Sequence, residues 1–506
     1  MRKRYWATGV ALLVLLNIPY LIALAIADPS FSFGGFLLNP VDGYSYLGKI
    51  IQGQQGSWSF RLPFSAEPNQ GAPLFWFYLF LGHISRWTGL SAVLVFHAAR
   101  LAASIALLAA LQNFFTDLFP DRPKTAYWAF LLAILGSGCG WIASLFGAFT
   151  SDFWVAEAYP FLAMYSSPHF SLGLALLVWF AAQLGKAQTE RVLPWLFVAG
   201  LLLSIALPFG IVIAALLAFG SLMVSIVYRE KIKWQTAFAF LLPGGLFTLY
   251  QFYVIRTDPV LALWDAQNLT ASPPLWDVLI SFSPLAGFAV YGAVKAVHNR
   301  SRQIGMLVVW LVLGLVLIYV PFNLQRRFLL GYMIPVAGLA AYGLSEIKTR
   351  SKTVYKALSV GLALPTLLIV IAGGVLAVRN SDPHLVIAKS ELEALEFLAD
   401  HGNPGDLVLA APDTGLLIPA YTGQRVIYGH PFETVNAAEE KTAVESFFRG
   451  GLSAEGVNWA GERTVRWIFW GPREQAYRPA PLDLPEGITL VYENQDVKIF
   501  SIQVSE

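Results

Sequence analysis

At 506 residues, 56% of them hydrophobic and 13% charged, the chain carries more apolar surface than a soluble core of this size can bury. A formal net charge of +2 says nothing about partners, and no nucleic-acid partner is expected. Repeated long apolar runs indicate a polytopic α-helical membrane protein.

The N-terminal run "MRKRYWATGVALLVLLNIPYLIALAIA" has a basic start like a signal peptide. Its apolar stretch is long for that role, so it reads as a retained first span. Eleven spans are expected, over 6–27, 91–115, 125–147, 169–185, 192–207, 209–228, 235–255, 275–297, 304–322, 328–346 and 354–378. The single cysteine, Cys139, lies in "LLAILGSGCGWIASLF" and reads as a helix-packing residue. The run "PLFWFYLFLGHISRW" (73–87) is read as interfacial rather than spanning. With that choice, Arg2, Lys3, Arg4, Arg122, Lys124, Lys186, Arg191, Arg229, Lys231, Lys233, Lys295, Arg300, Arg302, Lys348, Arg350 and Lys352 fall on one side. The longer loops of the other side hold far fewer basic residues, a positive-inside asymmetry that makes the N-terminus cytoplasmic. Loop 28–90, the loop around 147–168 and everything after about 379 are then external.

Within the first loop, "NPVDGYSYLGKIIQGQQGSW" places Asp42 where a helix N-cap would stand. Tyr46 and Lys49 follow at i+4 and i+7, and Leu47, Ile50 and Ile51 share another face. That pattern describes an interfacial helix with its apolar side down and Lys49 snorkelling. The second external loop brings Asp152 and Glu157, and "YSSPHF" sets His169 at the entrance of the next span. Such acids are commonly only solvated. In "PFNLQRRFLLGY", Arg326 and Arg327 stand at the external mouth of a span, the disfavoured side for them, and Arg100 stands at a similar place. That cost points to a specific anionic partner.

After residue 379 the composition changes. An amphipathic helix (Leu392, Leu395, Leu398) leads through "NPGD" to the strand "LVLAA". "RVIYG", helical "AAEEKTAVESFFRG", "VRWIFWG" and a hairpin in "ITLVYENQDVKIFSI" follow, the signature of a small α/β domain. Its "YGHPFET" puts His430 and Glu433 in a turn, readable equally as structure or as part of acceptor binding.

External acids and arginines beside a lipid-facing helical core suit one chemistry. A carboxylate takes the proton of an acceptor hydroxyl while guanidinium groups stabilise a departing lipid phosphate. At these residues ("NPVDGYSY", "PLFWFYLFLGHISRW", "HAARLAAS", "SDFWVAEAY" and the terminal domain) the chain resembles the polytopic GT-C glycosyltransferases. That group includes protein O-mannosyltransferases, the aminoarabinose transferase of lipid A and the oligosaccharyltransferases, and the chain looks like a bacterial branch of it. The resemblance implies a GT-C-like transmembrane domain over 1–378 and an external α/β domain over 379–506 in the cell membrane. It implies transfer of a sugar from a polyprenyl-phosphate donor to a lipid, glycan or protein acceptor. Asp42 would be the general base, and Asp152, Glu157 and His169 would position acceptor or metal. Arg326, Arg327 and Arg100 would bind donor phosphate, with Tyr46, Lys49, His430 and Glu433 in support. The sequence has neither an adjacent acidic pair after Asp42 nor a "WWD", and a divalent metal stays an open expectation. Two other readings stand beside this one. A transporter or flippase would place ionisable groups at span centres, which here are nearly free of charge. A non-catalytic scaffold gives no reason for arginines on the disfavoured side.

Overall fold

A computed structural model describes residues 2–26, 30–67, 69–186, 189–347, 352–479 and 484–502. Lys348 and Arg350, used above for sidedness, lie outside them. Among the described residues eight helices are long and apolar enough to cross a membrane. A ninth span is counted if Leu275–Phe282 and Leu285–His298, bent by 86° at Pro284, form one unit. Proline lacks the N–H that would continue the ladder there. The remaining two expected spans are the short helices Leu193–Ala206 and Arg302–Leu317. This is an integral membrane protein.

The first four helices in chain order are α1 (Arg2–Ile26), α2 (Pro40–Gln54), α3 (Trp76–Thr88) and α4 (Ala92–Leu118). Helix α3, the ambiguous aromatic run, has 13 residues and spans roughly 20 Å, short of the ~30 Å hydrocarbon core.

The chain packs as two units. The first comprises residues 1–20, 97–250 and 269–376, and is built from the apolar helices. Its segments 150–167 and 328–332 are folded into the unit, and the acids Asp152 and Glu157 are buried there with partners of their own.

The second unit comprises residues 21–96, 251–268 and 377–506, so the first loop packs with the terminal segment. Strand β1 (Phe31–Phe33) pairs antiparallel with β2 (Val386–Ala388). A five-stranded sheet runs β4 (Arg425–Val426), β3 (Leu407–Leu409), β5 (Val465–Trp470), β7 (Lys498–Ile502), β6 (Ile488–Glu493). The β4–β3–β5 part is parallel, and the β6–β7 hairpin adds to it antiparallel. The central strands read as continuous apolar runs because helices cover them. Leu407, Leu409, Ile468, Trp470 and Phe500 share one core with Val444 and Phe448 of the helix Ala437–Gly450. The helix Lys389–His401 buries Leu395 and Leu398, as its spacing requires.

Helices α2 and α3 meet on glycine. A Cβ at Gly53 would stand 2.1 Å from the Leu79 carbonyl oxygen, and one at Gly82 would stand 2.1 Å from that of Ile50. Backbone atoms cannot yield as a flexible side chain can, so Gly82→Ala should force the helices apart. We expect a loss of about 1–3 kcal/mol, read as a lower thermal midpoint of the purified protein. Gly361→Ala, which meets nothing within 4 Å, should leave the midpoint unchanged.

Candidate active site

In the second unit, Pro40 opens α2 at its first position and Asn39, in the left-handed region, precedes it. Asp42 is therefore a first-turn residue and not the N-cap expected from sequence. It still faces the positive end of the helix dipole. Asp42, Ser45 and Lys49 follow at i, i+3 and i+7 and form one stripe.

Lys49 does not snorkel: its side chain is 0% exposed. Its Nζ donates to both oxygens of Glu433, at 2.9 and 3.0 Å, and to Ser45 Oγ. Ser45 Oγ in turn donates to Glu433 Oε1. The ammonium lies 4.4 Å from the Phe75 ring centroid and 5.5 Å from that of Phe60. So α2 is held inside the unit rather than resting apolar side down, and it is buried at Tyr44, Leu47, Lys49 and Ile50 alike. Tyr46 stacks flat on Tyr78 of α3, 4.6 Å between centroids. Burial pushes the Glu433 carboxyl up, but the Lys49 ammonium and the hydrogen bonds from Ser45 and Lys49 outweigh it and hold the group below its usual value.

The turn that carries Glu433 also carries His430. Thr434 Oγ1 accepts from the N–H groups of Gly429 and His430, and the Thr434 N–H donates to the His430 carbonyl. The His430 ring is 2% exposed, and its Nε2 lies 3.4 Å from Asp42 Oδ1. The Asp42 side chain is 43% exposed and so reachable from outside.

In the first unit, Glu157 is buried and gathers two arginines. Arg327 Nη1 lies 3.2 Å and Arg326 Nε 3.9 Å from the same Glu157 oxygen. The Arg326 guanidinium also lies 4.5 Å from the Trp154 ring centroid. Backbone bonds fix this register: Gly331 N–H donates to the Glu157 carbonyl, Met333 N–H to that of Ala158, and Arg326 N–H to that of Thr270. Two partly exposed cations against one buried carboxylate leave the cluster suited to an anion.

The neighbouring Asp152 is not a solvated loop acid. Its oxygens accept from Gly138 N–H, Gly140 N–H, Thr150, Ser281 and Thr366 hydroxyls. Asp277 takes up Ser151 N–H and the Ser151 and Ser281 hydroxyls beside it. Burial pushes the Asp152 carboxyl above its usual value against the opposing pull of Thr150, Thr366 and Gly140. This network anchors the loop. Arg100 is likewise committed inward, to the Met164 and Tyr165 carbonyls, Asn17 Oδ1 and His97 Nδ1, with its guanidinium over Tyr20. His169 is buried at the start of the helix Pro168–Gly185. Among the described residues no three His, Cys, Asp or Glu side chains gather to hold a metal ion. Asp152 is taken up by N–H and hydroxyl donors and Glu157 by arginines, so this donor set does not fit a metal.

Ser45, Phe60, Phe75, Asp277, Ser281 and Thr366 escaped the sequence reading. Ser45, one turn before Lys49, and the i, i+4 pair Asp277 and Ser281 carry a local signal. Phe60, Phe75 and Thr366 reach their partners across longer stretches of chain, which no local spacing encodes.

No family model and no curated protein matches the sequence. Solved structures do match. ArnT from Cupriavidus metallidurans in the apo state aligns with a TM-score of 0.52 at 14% identity, over 98% of this chain and 98% of that one. The same protein bound to undecaprenyl phosphate gives 0.51 at 14% identity, again over 98% of each chain. The apo Archaeoglobus fulgidus oligosaccharyltransferase gives 0.50 at 13% identity, over 93% of this chain and 70% of that one. This chain has the fold of the GT-C membrane glycosyltransferases. Within that GT-C fold, the polar residues described above fall into an α2 cluster in one unit and an arginine cluster in the other.

The buried pair generates two expectations. Lys49→Met alone leaves Glu433 uncompensated and should cost about 3–5 kcal/mol, whereas Lys49→Met with Glu433→Gln should recover much of it. Thermal midpoints in detergent would read both. The folded Glu433 carboxyl titrates below its ordinary 4.5, so its ionised form contributes stability above that pH. That contribution is lost as pH falls through the folded value. The double variant should therefore show a flatter decline of thermal midpoint below about pH 4.5 than the native chain.

Proposed function

We propose that the chain is a membrane glycosyltransferase that moves a sugar from a polyprenyl-phosphate donor to an acceptor hydroxyl on the external face. The observation that carries this reading is the pair Arg326 and Arg327 gathered by the buried Glu157. It occurs in a fold that ArnT, solved with undecaprenyl phosphate bound, shares. Guanidinium groups hold phosphate through several N–H donors at once, and their charge stabilises the phosphate that leaves.

Asp42 is the general base in this reading. The acceptor oxygen attacks the anomeric carbon, its proton passes to the Asp42 carboxylate, and the bond from that carbon to the phosphate oxygen breaks. The electron pair departs with the polyprenyl phosphate, and guanidinium groups suit the negative charge that it carries away. The apolar helices accommodate the lipid chain. Asp152 and Arg100 keep the loop and helix ends in place, which their internal hydrogen bonds support. The basic residues flanking the spans support a cytoplasmic N-terminus and an external terminal segment.

The test uses purified protein in lipid nanodiscs with a panel of polyprenyl-phosphate-linked hexoses and pentoses, and measures release of polyprenyl phosphate. Asp42→Asn should lower turnover at least about a hundredfold without changing the thermal midpoint. Full activity in that variant removes Asp42 as the base. Arg326→Gln should weaken binding of polyprenyl phosphate itself by about tenfold or more, and unchanged binding overturns the phosphate assignment.

A further inference from the structure

The turn 429–434 makes a second contact with α2 besides the Lys49–Glu433 pair, and this one reaches the reactive carboxylate. His430 Nδ1 accepts the backbone N–H groups of both Phe432 and Glu433, each at 3.1 Å. A ring nitrogen that accepts carries no proton, so the neutral ring bears its hydrogen on Nε2. That N–H is buried and makes no hydrogen bond among the described residues, and Asp42 Oδ1 lies 3.4 Å from it. A buried donor without a partner is costly, and a small shift of the exposed Asp42 side chain would complete the bond. The ring itself cannot swing away. It is wedged beside the fully buried Phe64, 5.7 Å between centroids, and tied at Nδ1 by its own turn.

We propose that His430 is a positioning residue for Asp42, a fixed N–H donor that orients the carboxylate toward the acceptor hydroxyl. This rests on the reading of Asp42 as the base. The imidazole acts as a donor only, because Nδ1 is engaged by the turn and has no lone pair left to pass a proton onward. The proton taken from the acceptor thus stays on Asp42 until it leaves to solvent, which the 43% exposure of that side chain permits.

Two substitutions separate this role from a merely structural one. In His430→Asn the carboxamide oxygen stands near the Nδ1 position and can still accept the turn's N–H groups, but the shorter side chain does not extend to Asp42. In His430→Gln the amide N–H reaches the Nε2 position while the turn loses its acceptor. With the donor panel above, His430→Asn should keep the native thermal midpoint and the KM for donor, and lower kcat about ten- to hundredfold. His430→Gln should lose thermal stability yet keep kcat within a few-fold of the native value. In an Asp42→Asn background His430→Asn should have no further effect. A native kcat in His430→Asn, with Asp42→Asn inactive, overturns the positioning role alone; an active Asp42→Asn overturns the base reading itself.

A readout that needs no substrate accompanies these. In solid-state nitrogen spectra of the histidine-labelled full chain, the His430 signals, assigned by their loss in His430→Asn, should show Nε2 protonated and Nδ1 unprotonated. The Nε2 signal should shift in Asp42→Asn. Signals indifferent to that substitution, or a protonated Nδ1, overturn the proposal.

Discussion

The second unit is organised around one buried ion pair, Lys49 with Glu433. An ammonium with no solvent exposure must be matched by a charge and by enough acceptors, or it costs several kcal/mol. Here both carboxylate oxygens and a serine hydroxyl meet it, and two aromatic faces close around it. The match fixes a register rather than merely adding stability. Helix α2 and the turn 429–434 lie nearly four hundred residues apart in the chain, and the lysine ties them together through both oxygens of Glu433. With the two so tied, His430 comes to Asp42.

The first unit meets the same constraint in another way. Its loops carry acids into an apolar surrounding, and each acid is matched internally. Asp152 is matched by backbone N–H groups and hydroxyls, and needs no cation. Glu157 is matched by guanidinium groups, two for one carboxylate. The difference has a chemical consequence. A carboxylate saturated by neutral donors is a structural anchor, while a carboxylate that holds two arginines fixes a positively charged surface on which an anion can bind.

Most of the fold was legible before any coordinates. Every one of the eleven expected apolar segments contains a helix, and the elements expected in the terminal segment are present, while strand β2 and the helices Pro412–Tyr421 and Ala454–Glu462 were not anticipated. The site was legible by residue type but not by environment. Asp42, Glu157, His430 and Glu433 all stand out in the sequence, yet the pattern places Lys49 at a lipid surface, and nothing local shows that Asp152 is enclosed by N–H and hydroxyl donors. Local spacing tells which side chains share a helix face, and carries no information about what that face will be packed against. The grouping of the first loop with the terminal segment in one packing unit is likewise a long-range result.

The amino-acid sequence by itself determined which segments are apolar enough to cross a membrane, because transfer of about twenty apolar residues into hydrocarbon outweighs any local preference. It also determined the period of each element, since that follows from which positions are apolar. Only the tertiary structure decided the state of the ionisable groups: which acids are satisfied by N–H donors, which by cations, and which remains open to solvent. Those outcomes depend on burial and on partners that arrive from distant parts of the chain, and electrostatic free energy is set by those surroundings and not by the residue alone.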